Sequence, residues 1–300
     1  MRMPVEHYSE RWLSFTLSHP RERLRVLAST AERLYKSGWR DVKGKQRYIT
    51  EPFEELKIVQ RAIREHLLLP IPLSSIVYSD VPGRSATMNA VQHVNQPNVA
   101  SIDIRDCYPS MTNAMVFRVF RGPVGLGDNL AHTLTRLTTL SGHLPQGTPT
   151  SGALANLILS PVDVILEQIA EGLRLVVTRY VDNIDFSGVR SREAILPTIV
   201  ALQAAGFSVR HKKVMNAGYR RAHVVTGNLV DGCRLRLPHR KRANVRAAVY
   251  EIVQRYEDGL PIATKAMNRL RGRLQHLRTQ GHPRDAERLA AQLVAAGIAI

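Results

Sequence analysis

Three polar side chains stand where apolar strands have to turn or stop. Asp182 and Asn183 lie in Arg179-Tyr-Val-Asp-Asn-Ile-Asp-Phe-Ser-Gly188, and Asp103 lies at the end of Val99-Ala-Ser-Ile-Asp103. An unpaired carboxylate inside a buried strand is costly, so one placed at a turn is available to hold something, and a divalent cation is the usual partner. Two strand-borne aspartates separated by the turn-rich Leu144-Pro-Gln146-Gly147-Thr-Pro-Thr-Ser-Gly152 suit two-metal phosphoryl transfer, in which hard oxygen ligands from separate strands hold the ions. The competing reading is plain: Asp and Asn are ordinary turn residues.

The elements around these residues follow from periodicity. Leu173–Thr178 is apolar and β-branched and Ile184–Ser187 alternates, so Val181-Asp182-Asn183 is expected to form the tip of a hairpin with Asp182 exposed. Upstream, 8–37 reads as one or two helices broken near His19-Pro20, with Trp12, Phe15, Leu24, Leu27 and Leu34 on an apolar face and Gly38 as the stop. A basic hairpin turning at Gly44 follows over 39–52, then an amphipathic helix over 53–69 through Leu56, Val59, Ile63 and Leu67. Helical patterns recur at 111–121, at 128–140 with Asp128 or Asn129 as N-cap, at 150–170 and at 191–205. Strands at 224–230 and 234–238 flank Asp231-Gly232.

Taken in order, Asp103-Ile-Arg-Asp-Cys-Tyr-Pro-Ser, Leu144-Pro-Gln-Gly-Thr-Pro-Thr-Ser and Tyr180-Val-Asp-Asn resemble motifs A, B and C of a reverse transcriptase. Asn89-Ala-Val-Gln-His93 resembles the NAxxH element, and Val225-Thr226-Gly227 the VTG element, of retron reverse transcriptases of bacteria. The likeness runs from about Lys43 to about Ala247.

The resemblance implies an α+β, right-hand polymerase. N-terminal helices and fingers would occupy 1–98, a palm of antiparallel sheet and helices 99–238, and a basic helical thumb 239–300. It implies that Asp103, Asp182 and Asn183 are catalytic, and that Asp103, the main chain of Ile104, Asp182 and Asn183 ligate Mg²⁺, with Mn²⁺ as the alternative. Arg47 would face the incoming triphosphate, assisted by Lys43 or Lys45. Tyr108 would lie under the sugar and exclude a 2′-hydroxyl, although a core aromatic is the other reading. Gln146 would touch nucleotide or template, and Lys213, in a stretch resembling motif D, would stand near the leaving pyrophosphate. Asp106 reads as a surface or capping residue. Asn89 and His93 share a helix face; they are either satisfied structural residues or a retron-specific element whose chemistry the sequence does not supply. The family's second motif C aspartate is Asn183 here, a neutral and weaker ligand, and Asp185 is a candidate outer ligand.

Composition agrees with a polyanionic partner. The 300 residues carry a formal charge of +17, and from Ala205 onward nineteen Lys and Arg stand against six Asp and Glu. Arg240, Lys241, Arg242, Arg246, Arg269, Arg271 and Arg273 lie on helical patterns suited to phosphate contacts. Two cysteines, Cys107 and Cys233, make neither a disulfide framework nor a zinc site. With no N-terminal apolar segment and no run of eighteen apolar residues, a cytoplasmic protein without a membrane partner is expected. Two functions compete. One is a retron polymerase that uses a structured noncoding RNA as template and primer, with deoxynucleoside triphosphates, to make branched RNA-linked DNA (msDNA) in anti-phage defence beside an effector protein. The other is a non-retron defence-associated relative or a catalytically weakened RNA-binding scaffold.

Overall fold

The computed structural model describes residues 8–41, 46–210, 215–217, 223–231 and 233–299. Two short helices, α1 (Glu10–Thr16) and α2 (Arg21–Thr30), lead into an antiparallel hairpin of β1 (Tyr35–Asp41) and β2 (Gln46–Pro52). α1 ends before Ser18, which sits at positive φ, and Pro20 is the N-cap of α2; Phe15 points to solvent, so the apolar face is Leu13, Leu17, Leu24 and Leu27. Gly38 is no stop. It sits inside β1 opposite Ile49, because the strand takes over at Tyr35.

Next come α3 (Glu54–Ile63), a wider π-helical turn at Arg64–Leu68, and α4 (Ala86–Val91). Strand β3 (Val99–Asp103) runs into α5 (Cys107–Ser110), α6 (Asn113–Arg121) and α7 (Asp128–Thr138). Gly127, not Asp128 or Asn129, is the N-cap of α7; Asp128 occupies the first turn, where its charge favours the helix dipole. Helix α8 (Ser151–Leu173) outlasts the expected Ala170 and ends on Arg174 in the left-handed conformation, which moves the start of β4 (Val176–Tyr180) downstream. It is long and apolar enough, by length and composition, to cross a membrane, yet it lies against the core with Asn156 and Asp163 buried. Then follow β5 (Asn183–Ser187), α9 (Ile195–Ala204) and β6 (Met215–Ala217).

The central sheet has the order β4-β5-β3-β6, with its described pairs antiparallel. Directly paired residues share a face, so the register sorts the side chains. Ile102, Val177, Ile184 and Phe186 share one face and join the main apolar cluster with Leu154, Leu157 and Leu166 of α8. Ser101, Asp103, Thr178, Asn183, Asp185 and Ser187 share the other, where His93, just past α4, meets Thr178 and Ser187.

Beyond the sheet, the expected strand over 224–230 is broken. β7 (His223–Val225) and β8 (Asn228–Asp231) pair across Thr226-Gly227, both at positive φ, as a tight two-residue hairpin requires. β9 (Arg234–Arg236) completes that three-stranded sheet. The chain ends in α10 (His239–Glu257), α11 (Thr264–Thr279) and α12 (Pro283–Ala295). These helices bury Val249, Ile252, Leu270, Leu277, Leu289 and Leu293 in a separate core.

Candidate active site

The hairpin of β4 and β5 turns through two residues, Val181 and Asp182, with Tyr180 paired to Asn183. Val181 has φ 58, a left-handed conformation that costs a β-branched residue on the order of 1–3 kcal/mol and persists only where neighbours over-determine it. They do so here from both sides. The Val181 N–H donates to Ser79 Oγ at 2.8 Å, and its carbonyl accepts from Arg179 Nη1 at 3.2 Å. Arg179 is fully buried and bidentate on Asp163 of α8, Nε to Oδ1 at 2.6 Å and Nη2 to Oδ2 at 2.7 Å, with Nη1 also on Asn156 Oδ1 at 3.1 Å. Burial pushes the Asp163 carboxyl up against the pull of that guanidinium. Sequence reasoning missed Ser79, Asn156, Asp163 and Arg179. The available signal was a charged residue inside each of two apolar elements, since buried charges have to be paired.

The hairpin tip meets the end of β3. Asp103 pairs with Asn183, and the Ile104 N–H donates to the Asp182 carbonyl at 2.9 Å. In a strand a residue's N–H and C=O leave on the same edge, so the Ile104 carbonyl also faces the hairpin tip. Asn183 Nδ2 donates to Asp182 Oδ1 at 2.9 Å, which leaves the amide oxygen as the atom a cation would use. Asp182 is half-buried rather than exposed, and Asp103 is 2% exposed with Arg210 Nε 3.5 Å from its Oδ1. The sequence-predicted ligands therefore converge on one corner.

Among the described residues no three or more His, Cys, Asp or Glu side chains gather as a metal cluster. The donor set is instead two carboxylates, one amide oxygen and one main-chain carbonyl. All are hard oxygen atoms, and the buried Asp103 carboxylate with a cationic guanidinium beside it is already a site for positive charge. These residues fit divalent magnesium or manganese. Asp185 does not join them. It is 3% exposed and receives the Ser101 hydroxyl hydrogen bond, and burial pushes its carboxyl up to about 6, so it is turned inward rather than being an outer ligand.

Tyr108, on α5, is brought to the same corner by Asp106, whose φ of 45 turns the chain out of β3. Its hydroxyl is pushed up by burial and by Cys107, Asp182, Asp80 and Tyr180 around it. Asp106 heads α5 without a side-chain cap bond and pairs with Arg210 at 3.2 Å. The loop before α8 is pinned to the N-terminal hairpin: the Gln146 carbonyl accepts from Thr50 N–H at 3.0 Å. Gly147, at φ 114, leaves no space for a side chain, since a Cβ would lie 2.8 Å from Ile49 and 2.9 Å from the Thr50 carbonyl. The close approach that glycine permits is thus to β2, which carries Arg47 opposite Arg40. On the same hairpin Trp39 and Tyr48 form an exposed edge-to-face pair, ring centroids 5.5 Å apart, that sequence reasoning passed over. Their symmetric placement about the turn was the signal. Lys43, Lys45 and Lys213 lie outside the described residues.

Of the basic C-terminal residues, Arg240, Arg246, Arg269, Arg271 and Arg273 are exposed. Lys241 donates to the Gly227 carbonyl, and Arg242 is half-buried 3.7 Å from Asp285, so these two also hold the fold together. A cavity of about 680 Å³ opens between Thr87 and Val91 of α4, Arg234 and Arg236 of β9, and His282.

No protein-family model matches the chain. It is 31% identical to retron Mx65 reverse transcriptase of Myxococcus xanthus over 92% of its length, and 29% identical to retron Ec86 reverse transcriptase of Escherichia coli over 77%. Retron Mx162 reverse transcriptase of Myxococcus xanthus is 28% identical over 69% of the chain. The chain spans 66%, 74% and 50% of those three proteins respectively. Two solved structures of apo telomerase from Candida tropicalis align over 66% of the chain with TM-scores of 0.45 and 0.47 and 12% and 10% identity.

Proposed function

Since this chain belongs to the retron-type reverse transcriptases, RNA-directed DNA polymerases, we propose that the corner formed by Asp103, Ile104, Asp182 and Asn183 extends DNA on a structured noncoding RNA that serves as both template and primer. The observation that carries this reading is the register pairing of Asp103 with Asn183, which sets the carboxylate at the end of β3 beside the hairpin turn that carries Asp182. The product is short DNA joined through a 2′-hydroxyl to its RNA, and its setting is anti-phage defence beside an effector protein, in the cytoplasm.

A primer hydroxyl attacks the α-phosphorus of a deoxynucleoside triphosphate, the bond to the β-phosphate oxygen breaks, and pyrophosphate leaves. Bound Mg²⁺ would lower the hydroxyl's pKa and stabilise charge on the transferring phosphoryl group. Asp103 and Asp182 would hold the ions, and Asn183 and the Ile104 carbonyl would complete the donors. By the motif resemblance alone, Arg47 is assigned to the triphosphate and Lys213 to the leaving pyrophosphate. Tyr108 closes the space that a 2′-hydroxyl needs, and Gln146 backs the nascent pair. In this reading 1–98 holds helices and fingers, 99–238 the palm and 239–300 a thumb, whose exposed arginines grip phosphates without reading sequence.

A second reading, an RNA-binding scaffold with a weakened palm, is favoured by the neutral Asn183 and by the ion pair between Arg210 and Asp103. Incubating the protein with an RNA template, an annealed primer and one complementary deoxynucleotide in Mg²⁺ separates the two. The polymerase reading expects extension by deoxynucleotides and little by ribonucleotides. No extension in Mg²⁺ or Mn²⁺, with RNA binding intact, selects the scaffold.

A further inference from the structure

α4 is six residues long, but it touches three parts of the molecule. His93, two residues past its end and fully buried, places Nδ1 2.7 Å from Ser187 Oγ and Nε2 2.8 Å from Thr178 Oγ1. Thr178 belongs to β4 and Ser187 to β5, so one imidazole spans both arms of the hairpin that carries Asp182 and Asn183. Asn89, also fully buried, faces the Asp185 carboxylate on the same sheet face, outside strict hydrogen-bond geometry.

The other end of α4 holds a different element. The Ala86 carbonyl accepts from Thr226 Oγ1 at 2.7 Å and from Asn228 Nδ2 at 3.3 Å, both at the tight turn of the β7–β8 hairpin. Thr87 Oγ1 accepts from Gln280 Nε2, just past α11, at 2.9 Å. Ala90 packs in a small apolar cluster with Val99, Val225 and Val230.

We propose that Asn89-Ala-Val-Gln-His93 is a positioning element for catalysis: His93 locks the root of the catalytic hairpin, and the helix it ends references that hairpin to the β7–β9 sheet and the C-terminal helices. This rests on the polymerase reading of the hairpin and gives the motif the role that its sequence alone does not disclose. His93 touches no reacting group. Ser187 is four residues from Asn183, roughly 13 Å along an extended strand. What His93 controls is the twist between the two arms, and a small rotation at the root is magnified at the tip. Both ring nitrogens are engaged by hydroxyls, so a neutral ring donates through one nitrogen and accepts through the other. A glutamine has the same pairing of one donor and one acceptor.

Three variants test this: His93→Ala, His93→Gln, and the doubly substituted Thr178→Val/Ser187→Ala, which removes both hydroxyls and leaves the imidazole in place. The readouts are single-turnover incorporation, RNA affinity, melting temperature, and amide exchange of peptides spanning 99–105 and 176–187. Loss of both bridges is expected to slow single-turnover incorporation and to speed exchange of the Ile104 and hairpin amides by about tenfold or more. RNA affinity should stay within about twofold and the helix α8 amides should stay protected, with His93→Gln closer to wild type than His93→Ala. Two results overturn the proposal. One is wild-type hairpin exchange and single-turnover rate in the doubly substituted protein; the other is uniform acceleration of exchange across α8 and the hairpin together, the mark of a merely structural role. Wild-type protein that fails to incorporate nucleotide refutes the polymerase reading instead, and the exchange data still decide whether His93 locks the hairpin.

Discussion

Replacing Asp163 with asparagine keeps the shape of the side chain and leaves the Arg179 guanidinium without its counter-charge in a site where the two groups are 0% and 1% exposed. Stranding one member of such a pair costs about 3–5 kcal/mol, and the asparagine oxygen, still able to accept from Nε or Nη2, places this change at the lower end. For a chain of 300 residues that corresponds to a fall in melting temperature of about 5 °C. The same guanidinium holds the Val181 carbonyl at 3.2 Å, so the damage reaches the strained turn that presents Asp182. Stability and activity can be pulled apart by substituting both partners, Arg179→Met with Asp163→Leu. Removing a buried pair together is often close to neutral, so the melting temperature should return to near wild type. The incorporation rate should stay low, because the Val181 carbonyl then has lost its guanidinium donor and only the Ser79 hydroxyl still holds the turn. Differential scanning calorimetry and single-nucleotide incorporation on the same preparations make the comparison. Asp163→Asn costing less than about 1 kcal/mol, or a paired substitution that restores rate along with stability, would refute the reasoning.

Three further outcomes are expected. Burial lowers the His93 pKa to about 4: the unfolded chain takes a proton near its ordinary 6.5 while the folded chain does not, so this group's stability is complete above 6.5 and is lost as pH falls toward 4. The loss amounts to about 3 kcal/mol at most. Asp185, pushed up to about 6, works in the opposite direction, so the measurement is the difference between wild type and His93→Gln in denaturant titrations across that window; parallel curves contradict it. Substituting Arg269, Arg271 and Arg273 together by Gln should flatten the salt dependence of RNA affinity by about 2–3 in log–log slope, and an unchanged slope removes these residues from the phosphate contacts. Tyr108→Val should raise ribonucleotide incorporation relative to deoxynucleotide by roughly tenfold or more through lost exclusion of one hydroxyl, and unchanged discrimination between the two sugars places Tyr108 in the core alone.

The parts of the site legible in the sequence were those where a polar residue interrupts an apolar period. Asp103, Asp182 and Asn183 stand at strand ends, and the structure places them at one corner of the sheet. The long apolar helix before them is also present, as α8. What was not legible depended on partners remote in sequence. Arg179 reads as an ordinary strand residue until Asp163 is seen beneath it, and Asp185 reads as a ligand until Ser101 and Asn89 close over it. Boundaries slipped for local reasons. β1 takes in residues of helical period because pairing with β2 outweighs their helical propensity, and Thr226-Gly227 interrupts a β-branched run because both residues sit at positive φ. Phe15 matched the helical period and still faces solvent, since periodicity gives a face but not what covers it.

The central claim is that Asp103 and Asp182 hold the catalytic ions and that Asn183 supplies a weaker third donor. Titrating Mg²⁺ and Mn²⁺ in single-nucleotide incorporation on one primed RNA, with wild type, Asp103→Asn and Asn183→Asp, tests it directly. Asp103→Asn is expected to incorporate nothing in either metal while retaining RNA affinity. Asn183→Asp is expected to show a lower half-saturating Mg²⁺ concentration and a reduced preference for Mn²⁺. Incorporation surviving in Asp103→Asn, or metal dependence unmoved in Asn183→Asp, would contradict that claim.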